Sequence, residues 1–199
     1  MPQTNPVNFS PKNRNTPVFA VPNLTVDTEY LCVLNADYTL INGTGVQAAL
    51  NATTNGALTL NPSAVGSWYA FEAQYFLTNT GTTSHTWDTL FGGTVVPTEF
   101  GYSALGNSLT AVGAGTGSLA GYCNALTAFA VTPASVSGSE NALIQLEGSL
   151  FVPANAGGTL IPQIQLSAAP GGVQKMKAGS FFRLWMLSQN EGNVVGPWS

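Results

Sequence analysis

His85 is the chain's one histidine, in the run Thr82-Thr83-Ser84-His85-Thr86-Trp87-Asp88. With Asp88 nearby and a serine supplied from elsewhere, it has the residue types of a nucleophile-activating hydrolase centre. The spacing carries little information. No Gly-x-Ser-x-Gly elbow accompanies it, and a lone histidine at a strand entrance is ordinarily a hydrogen-bonded surface group. Glu72 and Glu147 are the second candidate, a carboxylate pair for acid/base work if they converge within several ångströms; pairing with Arg183 or Lys175 is the commoner arrangement. One histidine and the distant Cys32 and Cys123 make no zinc pattern, and Asp27, Asp37 and Asp88 are too scattered for a calcium loop. The expected sets of catalytic residues, metal ligands and cofactors are therefore all empty.

The scarcity of ionisable groups has a wider meaning. Five Lys and Arg and nine Asp and Glu make up 7% of 199 residues, where a soluble domain carries about a quarter. The surface must then be built from Ser, Thr, Asn, Gln and Gly, which suits contact with neighbouring protein better than proton or phosphate chemistry. A net charge of -4 gives no footprint for nucleic acid. The apolar runs at 125–131 and 143–152 are far below the roughly 20 residues of a spanning helix. The start, Met1-Pro2-Gln3-Thr4, lacks the basic and apolar segments of a signal peptide, so synthesis in a host cytoplasm is expected. Cys32 and Cys123 read as two buried thiols, since a free cysteine behaves as a small core hydrophobe.

The elements that must position these residues are strands. Helix-surface residues are nearly absent while Thr, Val, Asn and Gly recur, so an all-β fold follows. Residues 68–78 alternate with period two: Tyr69, Phe71, Ala73, Tyr75 and Leu77 point one way, Trp68, Ala70, Glu72, Gln74 and Phe76 the other. Further strands are expected at 30–34, 38–41, 57–60, 86–91, 125–132, 142–152, 159–166, 173–177 and 181–187, with a tight turn at Asn42-Gly43. Residues 101–121 hold six glycines and read as a long loop with one or two weak strands. About nine or ten strands fit an antiparallel two-sheet, jelly-roll-like sandwich over residues 23–199. Trp68, Trp87 and Trp185 lie in strand-like runs and are expected in the core.

Residues 1–22 are different, because Pro2, Pro6, Pro11, Pro17 and Pro22 fall there among the chain's 12 prolines. Proline removes backbone donors and favours extended conformations, so an extended N-terminal arm is expected, anchored by Phe9 and Phe19 and carrying Lys12 and Arg14. Ordering such an arm requires bonds to something else, a neighbouring subunit being the obvious candidate; the alternative is a floppy terminus. Trp198 follows Gly196-Pro197, where no strand continues, and is expected to dock on a neighbouring surface.

The segments Leu146-Glu147-Gly148-Ser149-Leu150, Gly158-Thr159-Leu160-Ile161-Pro162-Gln163-Ile164 and Ala178-Gly179-Ser180-Phe181-Phe182-Arg183-Leu184-Trp185, with Trp68-Tyr69-Ala70-Phe71-Glu72, resemble the β-sandwich virion proteins of tailed bacteriophages. The resemblance covers about residues 66–187 and no ligand or catalytic motif. It implies a capsid decoration or cement protein, a homotrimer on the virion surface whose arm laces onto the major capsid protein or another virion subunit. Phe9, Lys12, Arg14, Phe19 and Trp198 would be the contact residues. The other reading is a carbohydrate- or receptor-binding tail or fibre protein that uses exposed aromatics.

Overall fold

The computed structural model describes residues 29–50, 57–111 and 114–189, with side chains at 109–117 and 188–189 set aside. The expected arm, with Phe9, Lys12, Arg14 and Phe19, and the tail with Trp198 lie outside the described residues. Within them there is no helix. Thirteen strands follow in order: β1 (Glu29–Val33), β2 (Tyr38–Leu40), β3 (Gln47–Ala48), β4 (Leu58–Leu60), β5 (Ser67–Asn79), β6 (Trp87–Gly93), β7 (Glu99–Ala111), β8 (Ala114–Cys123), β9 (Phe129–Ala130), β10 (Glu140–Val152), β11 (Gly158–Leu166), β12 (Gln174–Met176) and β13 (Phe181–Gln189).

They form two antiparallel sheets. The larger has eight strands in the order β1-β13-β5-β10-β7-β8, with β12 beside the end of β5 and β2 beside β12. The smaller has five, in the order β3-β11-β6-β9, with β4 also on β11. The expected alternation of residues 68–78 holds throughout β5. Tyr69, Phe71, Ala73, Tyr75 and Leu77 are buried, and their alternates face outward. The sheets share one core because the inward phase of each is apolar. Phe71 of the large sheet packs on Phe91 of the small one at 5.1 Å between ring centroids, and Phe182 joins at 5.6 Å from Phe71. Burying side chains of this size contributes roughly 1.5–3 kcal/mol each before entropy is counted.

The stretch read as a long glycine-rich loop with one or two weak strands holds two long ones, paired as the β7–β8 hairpin. Composition misleads there because glycine serves packing as well as turns. A Cβ on Gly106 would lie 1.7 Å from the Val131 carbonyl oxygen, so this strand position holds glycine to let a crossing backbone approach. Conversely, the expected strand at 125–132 shrinks to Phe129–Ala130, because the chain is changing sheets there. Asn42-Gly43 also makes no hairpin: β2 belongs to the large sheet and β3 to the small, so the turn carries the chain across. Cys123 is buried as expected, Cys32 is only half-buried, and no disulfide joins them.

Candidate functional site

The direction of each strand gathers its connections at two ends of the body. At one end four segments cross between the sheets: 41–46 from β2 to β3, 80–86 from β5 to β6, 131–139 from β9 to β10, and 167–173 from β11 to β12. They are tied to one another. The Gly171 N–H donates to Asn42 Oδ1 at 3.1 Å, the Thr83 N–H to the Pro170 carbonyl at 3.1 Å, and the Thr80 N–H to the Val173 carbonyl at 3.1 Å. His85 and Ser135 exchange both backbone hydrogen bonds, at 3.0 and 2.8 Å.

At the centre of this knot sits a buried ion pair. His85 Nε2 lies 2.8 Å from Glu140 Oε2, and each residue is 1% exposed. The other ring nitrogen, Nδ1, is 2.9 Å from the Thr83 carbonyl oxygen. Both nitrogens therefore lie beside oxygens, and next to an ionised carboxylate a doubly protonated ring donates to each of them. The second carboxylate oxygen, Glu140 Oε1, accepts from the Ser108 hydroxyl at 2.7 Å. Asn79 borders the ring, donates to the Gly81 carbonyl at 2.9 Å, and accepts from Gln174 Nε2 at 2.8 Å. The Trp87 ring meets the imidazole edge-on at 5.8 Å. Its indole N–H lacks a partner at hydrogen-bonding geometry but lies close enough for its dipole to favour the Glu140 carboxylate.

Burial works against both charges and loses in both cases. It pushes His85 down, but the Glu140 hydrogen bond, the Thr83 carbonyl and the Glu140 charge together lift the imidazole above its ordinary 6.5. Burial pushes Glu140 up, yet the His85 and Ser108 hydrogen bonds hold it below its ordinary 4.5. Such a pair persists only where the remaining lone pairs and protons are satisfied, as they are here.

Serine, histidine and a carboxylate have thus come together, but not wired for nucleophilic attack. In a hydrolytic triad the imidazole stands between serine and acid, taking the hydroxyl proton. Here the carboxylate stands between them, and His85 spends its other nitrogen on a backbone carbonyl. Asp88, the acid that a hydrolase reading would have paired with His85, accepts from the Thr86 hydroxyl at 2.8 Å. His85 is also interior, where the sequence placed it on the surface. Among the described residues no three metal-ligating side chains converge.

The second candidate lies on the outer face of the large sheet. Glu72 and Glu147 are in register on adjacent strands, so the two residues occupy neighbouring positions on one face. The expected pairing of Glu72 with Arg183 is present, at 3.2 Å, and Arg183 also donates to Glu29 at 2.7 Å while lying 5.0 Å from the Trp185 ring centre. This row continues from Leu31 through Arg183, Glu72, Glu147 and Ser103 to Tyr122. Trp68 and Trp185 belong to the same face and are half-buried; of the three tryptophans expected in the core, only Trp87 is fully enclosed. Beside the charged row, Leu31 (58% exposed), Val33, Phe76, Leu105 and Tyr122 (68%) meet solvent. Between β7, β8 and β10 lies a shallow cleft of about 360 Å³, bordered by Ser103, Leu105, Ala120, Gln145 and Glu147.

Glu140, Ser108 and Asn79 escaped the sequence reading, although a signal for them exists. Each lies in the inward phase of its strand: Glu140 in step with Ala142, Ile144 and Leu146, Asn79 with Tyr75 and Leu77, Ser108 with Tyr102 and Ala104. A polar residue in phase with an apolar face is an interior group in need of a partner. No protein-family model and no curated protein matches this chain.

Proposed function

We propose that this chain is a structural protein of a virion, of the capsid decoration or cement kind, with a jelly-roll-like body that associates as a homotrimer. Residues 1–22 and Trp198 would hold it to the major capsid protein or another shell subunit, and the protein would act without catalysis. The observation that carries this reading is the outer face of the large sheet. It is six strands wide at about 4.8 Å each, with strands of up to 13 residues. It presents Leu31, Val33, Phe76, Leu105 and Tyr122 around the charged row of Glu29, Arg183, Glu72 and Glu147. That area exceeds the roughly 800 Å² per partner of an ordinary stable interface. A subunit bound only to the assembled shell would stabilise it by mass action.

Two measurements test the reading. Sedimentation equilibrium of the wild type should show a trimer, and Leu31→Glu with Tyr122→Glu should shift it towards monomer; a wild type that stays monomeric at high concentration removes the self-association. The triple variant Phe9→Ala, Phe19→Ala, Trp198→Ala should lose occupancy on particles, and unchanged occupancy would exclude these contacts.

A second reading draws on the placement of Trp68, Trp185 and Tyr122 along that face beside Glu72 and Glu147. It is a carbohydrate- or receptor-binding tail or fibre protein, in which aromatic faces stack on sugar rings and carboxylates accept from hydroxyls. Glycan-array binding that Tyr122→Ala abolishes would favour it over the assembly interface.

A further inference from the structure

The His85–Glu140 pair has a property that does not depend on what the body binds. Two protons serve its two ring contacts, one between Nδ1 and the Thr83 carbonyl and one between Nε2 and Glu140. If His85 loses one, a nitrogen lone pair is left facing an oxygen lone pair in an interior that water does not reach. If Glu140 gains one, an imidazolium is buried without its counter-charge. Either change turns a satisfied pair into an unsatisfied buried polar group, the costly arrangement.

The surroundings offer no charged substitute, and the nearest other donor, Asn79 Nδ2, lies 3.5 Å from Nε2. Asn79 from β5, Ser108 from β7, Trp87 from β6, and Thr132 and Ser135 from the 131–139 connection are uncharged, and Gln174 of β12 reaches the pair only through Asn79. Asp88 of β6 turns to Thr86. Among the described residues, His85 and Glu140 are the only buried members of the acid, lysine, arginine and histidine set.

What the pair holds is equally specific. His85 sits on the 80–86 connection and Glu140 opens β10 directly after the 131–139 connection, so their contact bolts together two passages between the sheets. Those passages and their neighbours 41–46 and 167–173 carry the exposed aliphatics Ile41, Val46, Val136 and Val173, and hydrogen bonds tie Asn42 to Gly171 and Thr80 to Val173 across them.

We propose that His85 and Glu140 form a pH-operated latch on this end of the body, which keeps the 80–86 and 131–139 connections closed while both charges are present and frees them when either is lost. Release would disturb the aliphatic rim that these connections display. The direction follows from the two groups. His85 is lifted above its unfolded value, so its contribution is complete below about pH 6.5 and fades as pH rises through the folded-state value. Glu140 is depressed, so its contribution is complete above about pH 4.5 and fades as pH falls through the folded-state value. The latch is therefore firm in the mildly acid range and loosens on both sides of it.

Because the chain has one histidine, ¹⁵N NMR of the full-length protein reads its ring without ambiguity. At pH 6 both ring nitrogens should report as protonated, with one titration step above pH 6.5. Hydrogen exchange, corrected for intrinsic base catalysis, should show amides of 80–86 and 131–139 losing about tenfold or more of their protection across that step. Amides at 94–98 and 153–157, at the far end, should hold. A neutral ring at pH 6, or protection changing in parallel at both ends, overturns the proposal. Glu140→Gln should drop the His85 titration below 6.5 and carry the loosening of the loops with it; loops that keep the wild-type pH profile in this variant also overturn it. If Glu140→Gln does not fold, the wild-type titration and exchange profile decide the matter alone.

Discussion

The two ends of the body perform the same task, returning the chain between sheets, with opposite chemistry. At the His85 end the connections are drawn inward over buried polar groups, and an ion pair closes the network. At the other end the connections 61–66, 94–98 and 153–157 lie on the outside. There the Thr94 N–H donates to the Thr159 carbonyl at 2.9 Å, the Thr159 N–H to Thr94 Oγ1 at 2.9 Å, and the Asn155 N–H to the Ser63 carbonyl at 2.6 Å. Those groups are neutral and in contact with water, so a lost bond is replaced by a hydrated one. At the buried end no such replacement exists, and a missing partner costs the full desolvation of what remains. In a chain with so few charges, one acid and the only histidine are thus placed where their loss is least forgiving.

That contrast predicts a ranking of substitutions. Glu140→Ala should be the most damaging, because it strips the buried His85 ring of its counter-charge and of a hydrogen-bond partner. Urea unfolding should show a loss of about 3–5 kcal/mol, the usual penalty for removing one partner of a buried pair. A loss below about 1 kcal/mol would mean that water reaches the site and that the two ends are alike. Gly106→Ala comes next. Its new Cβ would run into the Val131 carbonyl at the start of the 131–139 connection, and overpacking against backbone costs typically about 1–3 kcal/mol; the midpoint of thermal unfolding measures it. Thr159→Ala, at the exposed end, removes a side-chain bond to the Thr94 N–H and should cost no more than about 1 kcal/mol. If Thr159→Ala exceeds Glu140→Ala, the ranking fails.

The same contrast explains how much of the fold and of the site is legible in the sequence. Strand β5 was legible to within a residue at each end because period-two alternation is a local signal that burial on one face enforces. The pairing of Arg183 with Glu72 was anticipated from residue type, and its register made it real. The glycine-rich hairpin was misread because Gly106 answers to Val131, a residue distant in sequence, and composition carries no record of what approaches from elsewhere. The short β3 was missed because its two residues have no periodicity of their own and exist only by pairing with β11. For the buried site, the phase of Glu140, Ser108 and Asn79 was available in the sequence, but not the convergence of three different strands on His85. The exchange of places between surface and interior for His85, Trp68 and Trp185 has the same origin: alternation tells which residues share a face and not which face is covered.

The strand with the clearest local signal also has a long wait for its neighbours. β5 lies between β10 on one side and β13 and β12 on the other, all of them later in the chain, and β1 closes the sheet against β13. During synthesis at about 5–20 residues per second, a 13-residue strand with one apolar face must remain unpaired for several seconds until β10 emerges. Non-local pairing of this kind also makes refolding slow relative to a helical protein of equal length. The consequence is a kinetic vulnerability centred on β5: nascent or refolding chains are expected to be lost to edge-to-edge association at high concentration, and a chaperone that shields residues 67–79 until β10 arrives would raise the yield without altering the final stability.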